Sequence, residues 1–310
     1  MKTVNSVSGG KTSAYIAANY KADYNVFSLV CINHDASRIK DSQMNNYIND
    51  KLDKYIPVYG EFIATAEHDM TLYAIRDLEQ FIGSEITWVR GKNFDDVIKS
   101  ANTHGGCPTR LPSKMSRYCT DEMKMVPIFK WWFTNIGEKV KMRIGFRSDE
   151  FGRMERFYNG NPNHFKFPTY CKNYGNKQMH HENINWRTCH FDLVRDGVKN
   201  EHVKTFWEEK GFVGEGFFRR KIEFPIISNC CGCPFKDEET IAVMAEYEPT
   251  KIDWFSEQED LGKGTWIKGT TYSEIIENRH DIAREKMVEY KYLLQNPYAG
   301  SFCDSGGCTD

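Results

Sequence analysis

Val4–Tyr15 reads VNSVSGGKTSAY. Val4 and Val7 are the apolar positions of a short strand. The chain then turns through Ser8-Gly9-Gly10-Lys11-Thr12-Ser13, after which Ala14, Ile16, Ala17 and Ala18 favour a helix. A strand, a glycine turn and a helix N-terminus together form a place for an anion. Two glycines let the backbone come close to a ligand, and the first helical N–H groups have no partner inside the helix. Lys11 adds a mobile positive charge, and Ser8, Thr12 and Ser13 add hydroxyl donors. The stretch is read as a phosphate cradle. Two other readings compete. One is an ordinary strand-to-helix turn. The other is the G-x-x-x-x-G-K-[ST] loop, whose end Gly10-Lys11-Thr12 matches, but its leading glycine would stand where this chain has Asn5.

Outward from the loop, Asn25–Ile32 (NVFSLVCI) is a nearly continuous apolar run, as in a strand buried on both faces. Strand, helix and strand in this space make a βαβ unit and imply a parallel sheet with a right-handed crossover. Ligands in such sheets sit beyond the carboxyl ends of the strands, which brings His34 and Asp35 near the cradle. Asp35 suits a ribose hydroxyl, with helix capping as the competing reading. Asp41–Lys54 reads as a polar helix, Ile56–Thr65 as a short strand region, Asp69–Phe81 and Asp95–Ser100 as helices, and Val140–Ile144 as a strand. From Tyr158 to Asn200 the pattern breaks down as in an insertion. A strand over Arg187–Leu193, a helix over Val203–Lys210, a short strand over Glu223–Ile227 and a long helix from Tyr272 to Leu294 follow. The expected fold is α/β, a doubly wound, mostly parallel sheet with helices on both faces, plus a smaller irregular or helical C-terminal region. The expected division is 1–157 for the nucleotide-binding part and 158–310 for the rest.

The chain has 310 residues, with 41 Lys and Arg against 43 Asp and Glu, a net charge of −2. This is no polycation, so non-specific nucleic-acid binding is not indicated globally, and only a local patch could serve it. No run of about eighteen apolar residues exists, so no membrane span is expected. Met1-Lys2-Thr3 leads directly into a strand without a signal-peptide core, and the expected location is the cytoplasm. Ten cysteines there read as free thiols, metal ligands or reactive groups rather than as a disulfide framework.

Two further stretches suit anions. In Cys107–Lys124 (CPTRLPSKMSRYCTDEMK), Arg110, Lys114, Arg117 and Lys124 precede or open a helix with Thr120 as N-cap, which suits a second phosphate or a sulfate. A solvated basic face is the bland alternative. Gly145-Phe146-Arg147-Ser148-Asp149-Glu150 follows the late strand, with Arg153 and Arg156 beyond it. Glycine permits close approach, arginine grips phosphate, and the carboxylates orient that arginine or hold magnesium. A surface salt-bridge cluster is the competing reading.

Cys230-Cys231-Gly232-Cys233 offers two thiolates at C-x-x-C spacing, and Cys303 and Cys308 form a second close pair. Together they would make a four-thiolate site for zinc or a [4Fe–4S] cluster, with unligated cysteines as the alternative. A cluster using Cys107 and Cys119 with the 230–233 group is also open. Cys231 is a spare ligand or reactive thiol, and Cys31, Cys171 and Cys189 are structural. Trp131, Trp132, Phe217 and Phe218, near Arg219, Arg220 and Lys221, would suit stacking on single-stranded nucleic acid, against core packing for the tryptophans.

Ser8, Gly9, Gly10 and Ser13 resemble the S-G-G-x-D-S pyrophosphate loop of the adenine-nucleotide alpha-hydrolase superfamily, with Thr12 in place of the usual aspartate. Arg117, Cys119, Thr120 and Lys124 resemble the R-x-C-T-x-x-x-K segment of its phosphoadenosine phosphosulfate reductase-like branch. Gly145, Arg147, Asp149, Glu150 and Arg153 resemble that branch's G-x-R-x-D-E…R run, and the cysteine pieces resemble its phage and prophage members. The resemblance implies an adenine nucleotide, ATP or a relative, with Mg2+, and it favours the [4Fe–4S] cluster over Zn2+. It implies two reaction types. In one, ATP is cleaved between its alpha and beta phosphates. The substrate is adenylylated, and a nitrogen or sulfur nucleophile displaces AMP. Lys11, Arg147 and Asp149 are then the catalytic candidates, with Lys11 on the pyrophosphate and Arg147 offsetting transition-state charge. In the other, a cysteine thiolate reduces a sulfonucleotide and sulfite leaves. The E-C-G-L-H tail of those reductases is absent here. The expected partners are a nucleotide and either a nucleic acid or a sulfur-donor protein. A non-catalytic nucleotide- or nucleic-acid-binding protein is the remaining alternative.

Overall fold

The computed structural model describes residues 1–101, 111–114, 116–170, 179–262 and 264–297. Cys107, Cys171, Cys303 and Cys308, with the tail that carries the last two, lie outside the described residues. The centre is a five-stranded sheet of β1 (Thr3–Val7), β2 (Tyr24–Leu29), β3 (Ile86–Arg90), β4 (Val140–Arg143) and β5 (Arg187–His190). The order is β3-β2-β1-β4-β5 and every pairing is parallel. This is the expected α/β fold.

Burial on both faces explains the near-continuous apolar composition of β2 and β3. On one face Phe27, Leu29 and Trp88 meet helices Lys11–Asn19, Ser42–Tyr55, Met70–Ile82 and Asn200–Lys210. On the other, Val4, Val26, Val89 and Met142 meet the helix Val126–Asn135 through Phe129, Trp131 and Trp132. The two tryptophans are therefore core residues. The helices Glu238–Tyr247, Pro249–Gly262 and Arg284–Gln295 form a third cluster around Trp254, Phe255 and Tyr290, which closes over Val30, Ile32 and Phe94. No helix among the described residues is long and apolar enough to cross a membrane.

Several expectations need correction. β3 was not anticipated, because Ile86–Arg90 is short and follows a turn at Gly83-Ser84. The sheet takes its fifth strand from beyond residue 157, so the α/β part does not end there. The region after Tyr158 holds an ordered hairpin, His164–Tyr170 paired with Met179–Asn185. Glu223–Ile227 forms no strand; Pro225 has no N–H to pair, and Phe224 and Ile227 are buried from irregular backbone. The terminal helix is three pieces, Tyr272–Glu277, Arg279–Ile282 and Arg284–Gln295. Its first break falls where the Asn278 side chain donates to the Glu274 carbonyl, a side-chain bond that competes with the helix. Thr120 is not an N-cap: it is itself helical, and Arg117 precedes the turn.

β1 runs straight into the glycine turn. Gly9 has φ +80°, and a Cβ there would stand 2.4 Å from Thr71 Cγ2 on the helix Met70–Ile82. The tight turn and the close helix approach both demand glycine. Gly9→Ala is expected to cost about 2–4 kcal/mol, part from the left-handed backbone and part from overlap. In a Thr71→Ser background, which lacks Cγ2, the cost should fall to about 1–2 kcal/mol. Chemical denaturation of the four proteins measures this, and equal costs in both backgrounds would refute the overlap.

Candidate functional site

The strand order reverses at β1, with β2 and β3 on one side and β4 and β5 on the other. Such a reversal leaves a crevice outside the carboxyl ends of the two central strands. A cavity of about 410 Å³ lies here. Five sequence-distant segments contribute: Ser8 and Ser13 of the loop, Arg117 and Thr120 before the π-turn Asp121–Met125, Gly145 after β4, the stretch from Arg156 to Phe165, and Arg187 of β5. Gly145 lies against Ser13, where a Cβ would meet its backbone nitrogen at 3.7 Å.

The loop is held by its own hydroxyls. Ser13 Oγ accepts from the Ser8 N–H at 3.0 Å, donates to the Gly10 carbonyl at 3.1 Å, and lies 3.1 Å from Ser8 Oγ. The helix Lys11–Asn19 begins at Gly10 with no side-chain cap, and space around Gly10 is open apart from Ser8 Oγ. Its leading N–H groups remain suited to an oxyanion.

Arg156 also lines the cavity, whereas Lys11, Thr12, Arg147, Asp149 and Arg153 stand around it rather than on its wall. Lys11 Nζ donates to the Pro297 carbonyl at 2.8 Å, tying the loop helix to the end of the C-terminal region. Arg147 Nη1 donates to Thr12 Oγ1 at 3.0 Å, where the resembling loops carry aspartate, and Arg147 Nε donates to Asp149 at 3.1 Å. Asp149 also accepts from the Asn200 N–H at the start of the helix Asn200–Lys210, so its oxygens are engaged in positioning. Arg153 pairs with Glu150 at 2.5 Å and lies over the Phe146 ring. Asp35 sits on the exposed turn Asp35–Ser37, paired with Arg38 at 3.0 Å, and does not line the cavity.

Arg117 and Thr120 also line a second, smaller pocket, of about 50 Å³, together with Cys119, Cys230, Cys233 and Lys124. The cysteine constellation and the phosphate-loop cavity thus share a wall. Burial raises the Cys119 thiol, with Cys233 adding to it. Burial likewise raises Cys230 well above its usual range, followed by Glu67, while Lys124 opposes. Lys124 pairs with the buried Glu67 at 3.2 Å and is placed for the thiol pocket rather than for the larger cavity. Cys231 packs into the C-terminal core with its thiol pushed up to about 12 by burial. Cys31 and Cys189 are buried, as expected of structural residues. Among the described residues no three His, Cys, Asp or Glu side chains are placed to hold a single metal ion.

Sequence reading missed Arg187 and Asp121 on the cavity wall. A usable signal existed for Arg187: it alternates with Cys189 in a strand whose inward positions are buried. Phe217 and Phe218 are exposed on a turn beside the strand Arg220–Lys221, away from the cavity-lining residues. Arg220 is held by Asp77 at 2.5 Å.

The fold is that of an α/β protein with a cavity at the sheet's switch point. No family model matches the chain, and no solved structure matches it. The chain is 26% identical over 216 residues to the uncharacterized protein MJ0066 of Methanocaldococcus jannaschii, across 67% of this chain and 38% of the relative. The chain therefore spans well under half the length of the curated relative it matches.

Burial, then Lys204, holds the Lys11 ammonium down to about 8 against a usual 10.5, with Glu208 pulling the other way. Between those values the unfolded chain binds more protons than the folded one, so this group's contribution to stability rises with pH. Lys11→Met should abolish that rise. Urea midpoints of wild type and variant, taken below about pH 8 and above about pH 9, should diverge in the wild type's favour. Parallel movement of the two would refute the burial of a charged Lys11.

Proposed function

We propose that the chain is a PP-loop nucleotide-binding enzyme, resembling the phosphoadenosine phosphosulfate reductase-like branch, that acts at the alpha-phosphate of an adenine nucleotide in a sulfur-linked reaction. One observation carries this reading. The loop, the Arg117–Thr120 segment and Gly145 meet in one cavity, and that cavity shares a wall with three thiols. A nucleotide phosphate fits the uncapped helix start beside Ser8 and Ser13. Arg117 supplies positive charge on the wall near the loop, and Arg147 acts through Thr12 to set the loop. Lys11 reaches a phosphate by exchanging its Pro297 contact. Mg2+ enters with the nucleotide, and Asp121 is the carboxylate on the cavity wall.

Cys119, Cys230 and Cys233 line one pocket and are thiols of the type that ligates iron–sulfur clusters, although among the described residues they are not arranged around a single metal position; they would have to draw together, and lose their protons, to hold one. Such a cluster supplies sulfur-centred or electron-transfer chemistry next to the nucleotide. In this reading Cys119 replaces one of the expected tail ligands. A compartment that keeps thiols reduced, the cytoplasm, suits it. The macromolecular partner in this reading is a nucleic acid that is modified or a protein that donates the sulfur. The same shared wall favours a second reading, sulfonucleotide reduction with release of sulfite.

The test is anaerobic purification with iron, sulfide and zinc assays, followed by nucleotide binding and turnover. Wild type should contain iron with acid-labile sulfide, and Cys119→Ser and Cys230→Ser should lose both. ATP should bind, and Arg117→Ala should weaken it at least about tenfold, as expected for loss of a charge-assisted contact. Alpha-labelled ATP yielding AMP and pyrophosphate supports the first reaction, and sulfite from a sulfonucleotide supports the second. Absence of nucleotide binding would overturn the reading.

A further inference from the structure

The cavity wall holds a buried cation that no reading so far uses. Arg187 opens β5 and is 3% exposed. Its Nε donates to the Pro162 carbonyl at 2.8 Å, and its Nη1 lies 3.1 Å from Met142 Sδ. Its guanidinium is 4.7 Å from the centre of the Trp186 ring. Among the described residues no carboxylate pairs with it. Asp121, the carboxylate on the same wall, is coupled to Arg117 instead. In the sequence, residues 171–178 include Lys172 and Lys177 and no acidic residue.

A guanidinium taken out of water is compensated by a carbonyl or a ring only in part, and buried charges in proteins are normally paired. Burial lowers the Arg187 pKa, which has the same origin. Arg187 is also far from the loop. It pairs with Val140 at the start of β4, whereas Gly145 follows the end of that strand, roughly 15 Å on at about 3.3 Å per residue.

We propose that Arg187 forms an oxyanion subsite at the far end of this cavity from the phosphate loop, taking a sulfate, phosphate or carboxylate group. The missing counter-charge arrives with the ligand. Two sources share this chemistry: a second anionic group on the bound molecule, or a separate oxyanion bound beside it. The inference rests on the cavity being a ligand site but does not need the ligand to be a nucleotide.

The probe is inorganic sulfate, titrated by calorimetry and thermal melting against sodium chloride at matched ionic strength. Wild type, Arg187→Met and Arg187→Lys are compared, and AMP is titrated separately and with sulfate present. Sulfate held by the loop is common to all three and cancels. Wild type should bind sulfate and melt higher in it. Arg187→Met should lose at least tenfold in sulfate affinity while keeping AMP, and Arg187→Lys, which keeps the charge but not the planar fork stacked on Trp186, should fall between the two. Additive binding of AMP and sulfate places the sulfate apart from the loop, and displacement of that sulfate by adenosine 3′,5′-bisphosphate but not by AMP assigns the subsite to a second anionic group on the nucleotide; displacement by AMP itself overturns the proposal. Sulfate binding without AMP binding upholds the subsite and removes the nucleotide reading. Equal sulfate affinity in wild type and Arg187→Met, or none in wild type, overturns the proposal. If Arg187→Met does not fold, phenylglyoxal labelling of wild type replaces it. Sulfate should protect the peptide bearing Arg187, and an unprotected peptide overturns the subsite.

Discussion

The parallel pairing of β1 with β4 is the constraint on which the site depends. Thr3 lies beside Lys141 and Asn5 beside Arg143, so the contact closes more than a hundred residues of chain. Closing a loop of that size costs about 4 kcal/mol in chain entropy, and apolar burial alone would leave the register free to slip. A buried polar tie fixes it. Asn5 is fully buried; its amide donates to the Asn25 side chain and the Tyr20 carbonyl, both at 2.9 Å, and its oxygen accepts from Arg143 at 3.2 Å. Arg143 in turn pairs with Asp192 at 2.5 Å, just beyond β5. A one-residue slip would orphan all of these groups in the interior. With the register held, the turn after β1 and the turn after β4 emerge side by side, and the cavity between them exists.

That dependence explains which parts were legible in the sequence. Local patterns were: the strand–glycine–helix run at Val4–Tyr15, the helix Ser42–Tyr55 capped by Asp41, and the strand Val140–Arg143. Clusters of charge next to turns read as candidate anion sites, and of their residues Ser8, Ser13, Arg117, Thr120 and Gly145 share one cavity. What a side chain does with its charge was not legible. Arg147, Asp149, Glu150 and Arg153 satisfy one another and the helix Asn200–Lys210, a partnership set by a chain segment fifty residues away. Lys124 was drawn as a phosphate ligand, but the buried Glu67 claims it. No spacing rule reveals a partner on a different element.

The C-terminal region shows the same limit more sharply. His68 and Glu248 approach to 3.1 Å, and in the sequence they are a histidine before one helix and a glutamate at the end of another. Burial pushes His68 down to about 4 and Glu248 up to about 7, so near neutral pH the histidine is uncharged. The charge in that corner rests on Lys251, which is buried and held by Asp69 at 2.6 Å and the Thr65 carbonyl at 2.9 Å. These contacts fasten the helical region to the strand end that carries Glu67 and to the backbone bridge between Glu67 and Cys230. The thiol pocket is therefore built jointly by the sheet and the C-terminal region, which is why neither half of the sequence describes it alone.

Two arginines near the cavity meet opposite fates, and the contrast says where a ligand is needed. Arg147 has two carboxylates and a hydroxyl within reach, so the folded chain already satisfies it and its value lies in holding the loop. Arg187 is more deeply buried and has a carbonyl, a thioether and a ring. Removing a charge from water without a counter-charge opposes folding, and a chain retains such an arrangement at a cost. The acidic residues available to quench Arg187 are instead placed elsewhere: Asp192 on Arg143, Asp149 and Glu150 on Arg147, Asp121 beside Arg117. The cavity wall thus carries Arg117, Arg156 and Arg187 against the single carboxylate of Asp121, an excess of positive charge that a bound anion would offset.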